Sequence, residues 1–164
     1  MPDVGPVVSN AGPLIVLAAV GQIDLVGRLY GQVLVPEAVF EEITGAGAGR
    51  PGADELVAAS WAVRTKVDPP PDPLLAQDLG RGETEAITLA VRRGARLLLL
   101  DDRKARQVAE VAYGLRVKGA PGILVAAKRG GFVASVRPFL EQMRAKGYFL
   151  APPVVERVLR EAGE

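Results

Sequence analysis

The sequence contains neither cysteine nor histidine, and each absence removes a class of chemistry. Without cysteine there can be no disulfide, no zinc site built from thiolates and no thiol nucleophile. Without histidine the chain lacks the commonest general base and the commonest nitrogen ligand for a metal. Hydrolytic chemistry would therefore have to depend on carboxylates, and carboxylates suit hard cations that prefer oxygen ligands.

Aromatic side chains and long apolar runs are also scarce. Four Phe, three Tyr and one Trp leave little capacity for stacking on nucleobases. The longest apolar run, LIVLAAV at 14–20, is far shorter than the roughly 20 residues that span a bilayer. No basic segment precedes an apolar one near the N-terminus, so no signal peptide is visible. We expect a soluble protein of the cytoplasm with no membrane partner.

What the chain does contain indicates one globular domain over residues 1–164. Hydrophobic residues make up 49% and charged residues 24% of the 164 residues, which is typical of a folded domain. The net charge of +1 conceals an asymmetry. Residues 1–90 hold 5 Lys and Arg against 12 Asp and Glu, and residues 91–164 hold 15 against 7. Such a difference is produced either by ordinary solvated helix faces or by a basic surface beside an acidic site, which suits a polyanionic substrate.

Short apolar runs alternate regularly with helical patterns. The predicted strands cover 6–9, 32–35, 61–67, 97–101 and 115–117, with the third at the edge of the sheet. Helices are predicted between them and over 121–129, 136–146 and 153–162. Residues 45–54 form a predicted loop, and DPPPDP at 68–73 a stiff extended connector. Strands separated by helices predict an α/β fold with one parallel sheet between two helix layers.

The stretch LLLLDDRKAR, at 97–106, joins a buried strand to a helix. Four leucines indicate a strand covered on both faces, and Asp101 and Asp102 follow at its end, a common location for ligands in open α/β sheets. Asp102 directly precedes the helix, so helix capping is at least as good an explanation for it as metal binding. Asp101, which lies between the buried strand and that cap, has fewer structural explanations than Asp102.

Other polar side chains are expected at the same edge. The helix from Glu83 to Arg93 rises about 15 Å, and the strand from Leu97 to Asp101 returns about 13 Å, so Glu83 should lie beside Asp101. The first strand ends at Ser9 and Asn10, and the second leads into a helix that contains Glu37, Glu41 and Glu42. Each residue could equally serve as a turn, cap or surface residue. Their predicted convergence favours a site for divalent cations, which neutralise the repulsion between carboxylates.

The motifs VVSNAGPLI, PEAVFEEI and GETEAITLAVRRGARLLLLDD, with the closing helices, resemble those of a PIN domain. More narrowly, they are similar to a PIN-like subgroup related to VapC-type toxins, over nearly the whole chain. The resemblance implies a three-layer α/β/α sandwich with a central parallel sheet. By position, the family's four acidic residues fall on Asn10, Glu42, Glu83 and Asp101, with Asp102 adjacent. Asn10 departs from the usual aspartate, and its amide oxygen can ligate a hard cation but brings no charge.

The resemblance also implies an activity and partners. It predicts a metal-dependent ribonuclease, the toxin component of a toxin–antitoxin pair, with Asn10, Glu42, Glu83 and Asp101 as catalytic residues. Mg²⁺ or Mn²⁺ would be the cofactor, with Glu42, Glu83, Asp101 and Asp102 as metal ligands. The substrate would be single-stranded RNA, held by Arg103, Lys104 and Arg106. A small antitoxin-like protein and a second copy of the chain are the implied protein partners.

Two alternatives remain open. A degenerate PIN-like domain would bind nucleic acid or a protein without cleavage, and Asn10 favours it. A receiver-like phospho-acceptor domain also carries paired aspartates at a strand end, but after its first strand and not after a late one.

The C-terminal amphipathic helix at about 152–162 is predicted to dock on the parent domain or on a partner, through Val154, Val155, Val158 and Leu159.

Overall fold

The computed structural model describes residues 4–45 and 49–164 and contains a five-stranded sheet. The strands are β1 (Val7–Ser9), β2 (Val33–Pro36), β3 (Ala62–Thr65), β4 (Leu97–Leu99) and β5 (Val117–Lys118). All neighbouring strands run parallel, in the order β3-β2-β1-β4-β5. The sequence-based prediction of a parallel sheet is therefore confirmed, as is the edge position of β3.

Helices connect the strands and continue beyond the last one. They are α1 (Ala11–Ala19), α2 (Asp24–Tyr30), α3 (Glu37–Gly45), α4 (Ala53–Ala58), α5 (Pro73–Ala76), α6 (Arg81–Arg92), α7 (Arg103–Gln107), α8 (Ala120–Arg129), α9 (Arg137–Ala145) and α10 (Pro152–Glu161). A single π-helical turn, Val108–Ala112, extends α7. No single helix in the described ranges is long and apolar enough to cross a membrane. Helices α1 and α2 reach the required composition only as a pair, which is bent by 120°.

Two hydrophobic cores lie on opposite faces of the sheet because strand side chains alternate in direction. Val7 and Leu99 face the core formed with α1, α2, α8 and α9. Val8 and Leu98, one residue along, face the core formed with α6 and α7. The central strands β1 and β4 are buried on both faces, which explains why they read as uninterrupted apolar runs. The three-layer α/β/α sandwich is thus confirmed.

Several boundaries differ from the sequence-based prediction: β4, for example, ends at Leu99 and not at residue 101. Two differences involve proline. Pro36, the first residue of the motif PEAVFEEI, is the last residue of β2, and α3 begins only at Glu37. Pro73, predicted as the end of an extended connector, is the first residue of α5, with the Asp72 carboxylate accepting a hydrogen bond from the Leu74 N–H. Residues 46–48 of the predicted loop lie outside the described residues.

The C-terminal segment is attached to the core by side chains and by a capping interaction. Val158 of α10 is buried, and Val154 and Leu159 pack partly buried against the same core. The Glu164 carboxylate accepts hydrogen bonds from the Val136 N–H at 2.7 Å and the Arg137 N–H at 3.2 Å. These contacts place a negative charge at the N-terminus of α9, where the helix dipole favours it.

Candidate functional site

The candidate site lies at the edge of the sheet where the parallel strands end. The Asn10 N–H donates a hydrogen bond to the Leu99 carbonyl at 2.9 Å, which fixes the end of β1 beside the end of β4. Helices α1, α3, α7 and α8 all begin at this edge. Their first turns bring polar residues from distant parts of the sequence to one surface, as is usual in open α/β sheets.

Asn10 is the most unusual residue of this edge. It is only 3% exposed and precedes α1, yet its side chain makes no capping hydrogen bond. Its Oδ1 atom is buried and has no hydrogen-bond partner within the described residues. A buried acceptor without a donor is unfavourable by about 1–3 kcal/mol. An unsatisfied oxygen at the end of a central strand is therefore a candidate ligand for a cation, or an acceptor for a water molecule.

Gly82, in the first turn of α6, allows a second oxygen to approach Asn10. A Cβ atom on Gly82 would lie 3.1 Å from Glu42 Oε2 and 3.3 Å from Asn10 Oδ1. Both oxygens therefore face the same small volume beside a bare stretch of backbone. A larger residue at this position would occupy the space that the two oxygens share.

The three glutamates of α3 separate into two groups. Glu37 and Glu41 form ion pairs on the outer surface, with Arg64 Nε 3.3 Å from Glu37 and Arg81 Nη1 2.9 Å from Glu41. Glu42 makes no such pair within the described residues and instead points toward Gly82. Of these three glutamates, Glu42 is the one that lies beside Gly82 and Asn10, and its role as a metal ligand stays a prediction.

Glu83 influences Glu42 electrostatically. Partial burial raises the pKa of the Glu42 carboxyl above its ordinary value, and the nearby negative charge of Glu83 raises it further. The Glu83 side chain folds back toward the backbone of Gly80 at the start of α6. A carboxylate whose pKa is raised by a neighbouring negative charge is stabilised in its charged form by a cation beside it.

Asp101 occupies a separate position at the same edge. Its Oδ1 accepts a hydrogen bond from the Ala120 N–H at 2.9 Å, at the beginning of α8. Burial raises the pKa of the Asp101 carboxyl, and the Ala120 hydrogen bond and the Arg106 charge only partly oppose that rise. Gly12 and Gly119 flank the side chain: a Cβ on Gly12 would lie 3.8 Å from Oδ2, and one on Gly119 would collide with Oδ1.

Asp102 serves as the N-cap of α7. Its Oδ2 accepts a hydrogen bond from the Ala105 N–H at 2.9 Å, and the residue itself is exposed. This is the ordinary geometry of a capping aspartate. The capping explanation left open by the sequence therefore accounts for Asp102, whereas a role in metal binding stays a prediction.

The three basic residues of the RKAR segment have different surroundings. Arg103 is exposed, and Lys104 lies 3.8 Å from Asp78 in a pair that is largely exposed on both sides. Arg106 points inward: its Nη1 would lie 3.1 Å from a Cβ on Gly119, next to Asp101. Arg106 is thus part of the edge itself, whereas the other two lie at its periphery.

The predicted acidic cluster is only partly assembled. In residues 4–45 and 49–164, no three acidic side chains lie close enough together to hold one metal ion. Asn10 and Glu42 come together beside Gly82, Glu83 lies near enough to raise the pKa of Glu42, and Asp101 lies over Gly12 and Gly119. The donors are all oxygens, which fits Mg²⁺ or Mn²⁺, and the unsatisfied Asn10 Oδ1 supports that fit.

Sequence reasoning missed the glycines and Glu85. Gly12 and Gly82 lie in the first turns of helices, where glycine is costly relative to alanine, and this signal could have indicated a close approach. Glu85 lies two residues after Glu83 in α6, and its buried carboxylate accepts a hydrogen bond from the Ala38 N–H and so fixes α3 against α6. Nothing in the local sequence distinguishes the two.

With this geometry in view, the comparison with protein families is informative. A family model described as a PIN domain matches residues 6–164. The chain therefore belongs to the PIN-domain family, and the sequence-based identification is confirmed. A PIN domain suggests a nuclease fold, and nucleases of this family typically use divalent metals. The comparison with curated proteins gave no match, and the comparison with solved structures gave none either.

Proposed function

We propose that this PIN domain is a Mg²⁺- or Mn²⁺-dependent ribonuclease that hydrolyses phosphodiester bonds in single-stranded RNA. The observation that carries the proposal is the buried, unsatisfied Asn10 Oδ1 beside the Glu42 carboxylate. An unsatisfied oxygen next to a carboxylate with a raised pKa favours the binding of a cation, because the arrangement is unfavourable when no cation is bound.

Each residue of the candidate site would have its own role in the reaction. Bound metal would supply an activated water and stabilise charge on the phosphate oxygens. Glu42 of α3 and Glu83 of α6 would hold the metal on one side, and Asp101 on the other through Oδ2, the oxygen not bonded to Ala120. Asn10 would contribute an uncharged oxygen or orient a water. Arg106, next to Asp101, is suited to contact a flanking phosphate.

The single-stranded form of the RNA is taken from the resemblance to VapC-type toxins, and the binding mode rests on charge and composition. The basic second half of the chain can contact phosphates, and the eight aromatic residues limit base stacking. RNA affinity should therefore fall steeply as salt is added, with exposed Arg103 and Lys104 contributing to the slope. Binding that is insensitive to salt would count against a polyanionic substrate.

The toxin role is the finer part of the proposal and is supported by the likeness of the sequence motifs to VapC-type toxins. A toxin of this kind acts in the cytoplasm and is held inactive by a small antitoxin-like protein, and we include a homodimer as a further assembly. Induced expression of the chain should arrest growth of a bacterial host, and Asp101→Asn should relieve the arrest. Growth that is unaffected by an active ribonuclease would argue against the toxin role.

A second function is favoured by a specific observation. Asn10 replaces the usual aspartate, and no three acidic side chains within the described residues form a ready metal site. A domain with these features could bind nucleic acid or a protein partner without cleaving it. This function predicts RNA binding that is the same with and without Mn²⁺.

One experiment separates the two functions. The full chain is incubated with a fluorogenic single-stranded RNA and Mn²⁺, next to the Asp101→Asn variant purified in the same way. Metal-dependent cleavage by the wild type, absent in the variant, supports the ribonuclease. RNA binding without cleavage in either protein supports the non-catalytic domain. Equal cleavage by both proteins that does not depend on Mn²⁺ would reveal a contaminating nuclease.

A further inference from the structure

A cleft of about 450 Å³ lies next to the candidate site and is not part of it. It is bounded by Glu37 at the start of α3, Lys66 after β3, Pro70 and Pro71 of the proline-rich connector, and Thr84 of α6. A volume of this size is typical of small-molecule sites, which span about 300–1,000 Å³.

The cleft and the candidate site share one helical turn. Arg81, Thr84 and Glu85 line the cleft, whereas Gly82 and Glu83, from the same turn of α6, face Glu42. An α-helix is about 10 Å across with its side chains. A nucleotide bound with its phosphate at the acidic edge therefore has a cleft about 10 Å away, within reach of a neighbouring base.

Two polar residues of the cleft lining, Glu85 and Glu37, are hydrogen-bond acceptors held in fixed positions. Glu85 is 8% exposed, and its two oxygens accept from the Ala38 N–H at 3.1 Å and pair with Arg81 Nε at 3.4 Å. Glu37 is held by Arg64 Nε at 3.3 Å. A carboxylate has about four acceptor positions, so both residues retain capacity for donors inside the cleft.

Other residues of the cleft lining are apolar. The positive and negative side chains of the lining are equal in number. Val67, Leu79 and the rings of Pro70 and Pro71 provide the apolar surface. Apolar side chains of this kind sandwich a base that has been turned out of a stack. The two carboxylates are matched by Lys66 and Arg81, so the cleft suits an uncharged ring with donor groups better than it suits a phosphate.

We propose that this cleft binds the base of a nucleotide flanking the scissile phosphate and prefers bases with an exocyclic amino group. Adenine and cytosine carry such a donor, as does guanine, and uracil has none. The single-stranded state of the RNA leaves the base free to turn outward. This inference rests on the proposed ribonuclease function, because it takes the acidic edge as the place of the phosphate.

The test compares single-stranded decamers of adenosine, cytidine and uridine by fluorescence anisotropy, with the full chain and without divalent metal. The adenosine and cytidine decamers should bind about tenfold more tightly than the uridine decamer, since an added hydrogen bond to a charged acceptor favours them. Ala76, an exposed residue lining the cleft, offers a way to fill it. Ala76→Trp should remove the preference.

Gln77→Trp is the matched control, because Gln77 is the next residue and does not line the cleft. It should retain the preference within about twofold, a difference below about 0.5 kcal/mol. Circular dichroism checks the fold, and Ala76→Phe provides a smaller filling group if the tryptophan disrupts it. Equal binding of the three decamers by the wild type, or a preference that survives the filled cleft, overturns the inference.

The two proposals fail in different ways. Cleavage of RNA with Mn²⁺ but with no base preference overturns the cleft and leaves the ribonuclease intact. A base preference that the filled cleft removes, in a protein that never cleaves, overturns the ribonuclease and leaves the cleft as a nucleobase site. Decamers that do not bind while Mn²⁺-dependent cleavage proceeds likewise overturn the cleft alone.

Discussion

The oxygen atoms around Gly82 differ from the carboxylates at the helix N-termini in what surrounds them. Asp102 and Glu164 accept hydrogen bonds from the backbone N–H groups of α7 and of the start of α9. Within the described residues, the buried Asn10 Oδ1 has no donor, and the carboxylate of Glu42, an exposed residue, points toward the same space. Acceptors that are satisfied within the chain hold helices in place, and acceptors that are not satisfied are available for a ligand.

Asp101 belongs to both groups, because its Oδ1 accepts a hydrogen bond from the Ala120 N–H whereas its Oδ2 is not bonded to Ala120. Its replacement is therefore the decisive test of this comparison. Asp101→Asn should lower Mn²⁺-dependent cleavage by at least about a hundredfold, because a charged ligand is lost. The melting temperature should stay the same or rise, since burial raises the pKa of this carboxyl and the amide oxygen still accepts from Ala120. Fluorogenic cleavage and thermal unfolding measure the two effects.

Asp102→Asn is the control for that change. Asparagine caps a helix about as well as aspartate, so both stability and cleavage should stay near the wild-type values if Asp102 is only a cap. A loss of cleavage as large as that of Asp101→Asn would assign Asp102 to the metal. Lost stability with cleavage retained in Asp101→Asn would reverse the assignment of Asp101.

Glu42→Gln should reduce cleavage by about ten- to a hundredfold and weaken Mn²⁺ binding. Its neighbour Glu41 provides the comparison, since Glu41 is held by Arg81 and Arg64 on the outer surface. Glu41→Gln should leave metal binding unchanged. Isothermal calorimetry with Mn²⁺ on both variants measures the difference, and equal losses would show that the orientation of the two side chains does not matter.

Asn10→Asp tests whether the unsatisfied oxygen faces a metal. A carboxylate near a dication is favourable by on the order of a few kcal/mol before desolvation, so Mn²⁺ binding should tighten and cleavage should rise by about tenfold for each 1.4 kcal/mol retained in the transition state. Without metal, the added charge should repel Glu42 and lower the melting temperature. Unchanged Mn²⁺ affinity and cleavage would favour the non-catalytic domain.

Glu164→Ala tests the carboxylates that accept hydrogen bonds within the chain, and its expected effect on stability is the smallest of the predicted effects. Hydrogen bonds from Ser135, Val136 and Arg137 lower the pKa of Glu164 to about 2. Because the folded-state pKa is depressed, the stabilisation is fully present above about pH 4.5 and is lost as the pH falls toward 2. Screening by solvent reduces the effect, and we expect a loss of about 1–2 kcal/mol at pH 7.

Urea unfolding at several pH values measures this loss, with Glu156→Ala, on the preceding helix α10, as the control. Glu156 is exposed, so its replacement should change stability little at any pH. The difference between the wild type and Glu164→Ala should narrow below pH 4.5. A difference that does not depend on pH would mean that the carboxylate charge contributes nothing to the cap.

The sequence predicted the sheet because its central strands are chemically distinctive. The leucines of β4 are buried on both faces, and such a run has few other uses. The π-helical turn after α7 could not be predicted, because it depends on how Val108–Ala112 packs and not on a local signal. The start of α5 at Pro73 was missed because proline also suits an extended connector.

The candidate site was predictable to the level of the sheet edge and not to the level of contacts. Element lengths place Glu83 and Asp101 at the same edge. Side-chain directions there depend on partners that sequence cannot specify: the Ala120 N–H orients Asp101, and the bare backbone of Gly82 admits Glu42. The sequence therefore predicts which residues lie at the edge, but it does not predict that they separate into one group at Gly82 and another at Gly119.

The pairing of β1 with β4 has a consequence for how the protein folds. Val7 pairs with Leu97, so the two central strands come together only after a loop of more than half the chain has closed. Parallel pairings between distant segments form slowly, because the entropy of loop closure is lost before contacts compensate for it. Asn10 and Asp101 become neighbours only in that step. During refolding, helix content should recover first, and recovery of the sheet edge that carries Asn10 and Asp101 should report the last stage of the process.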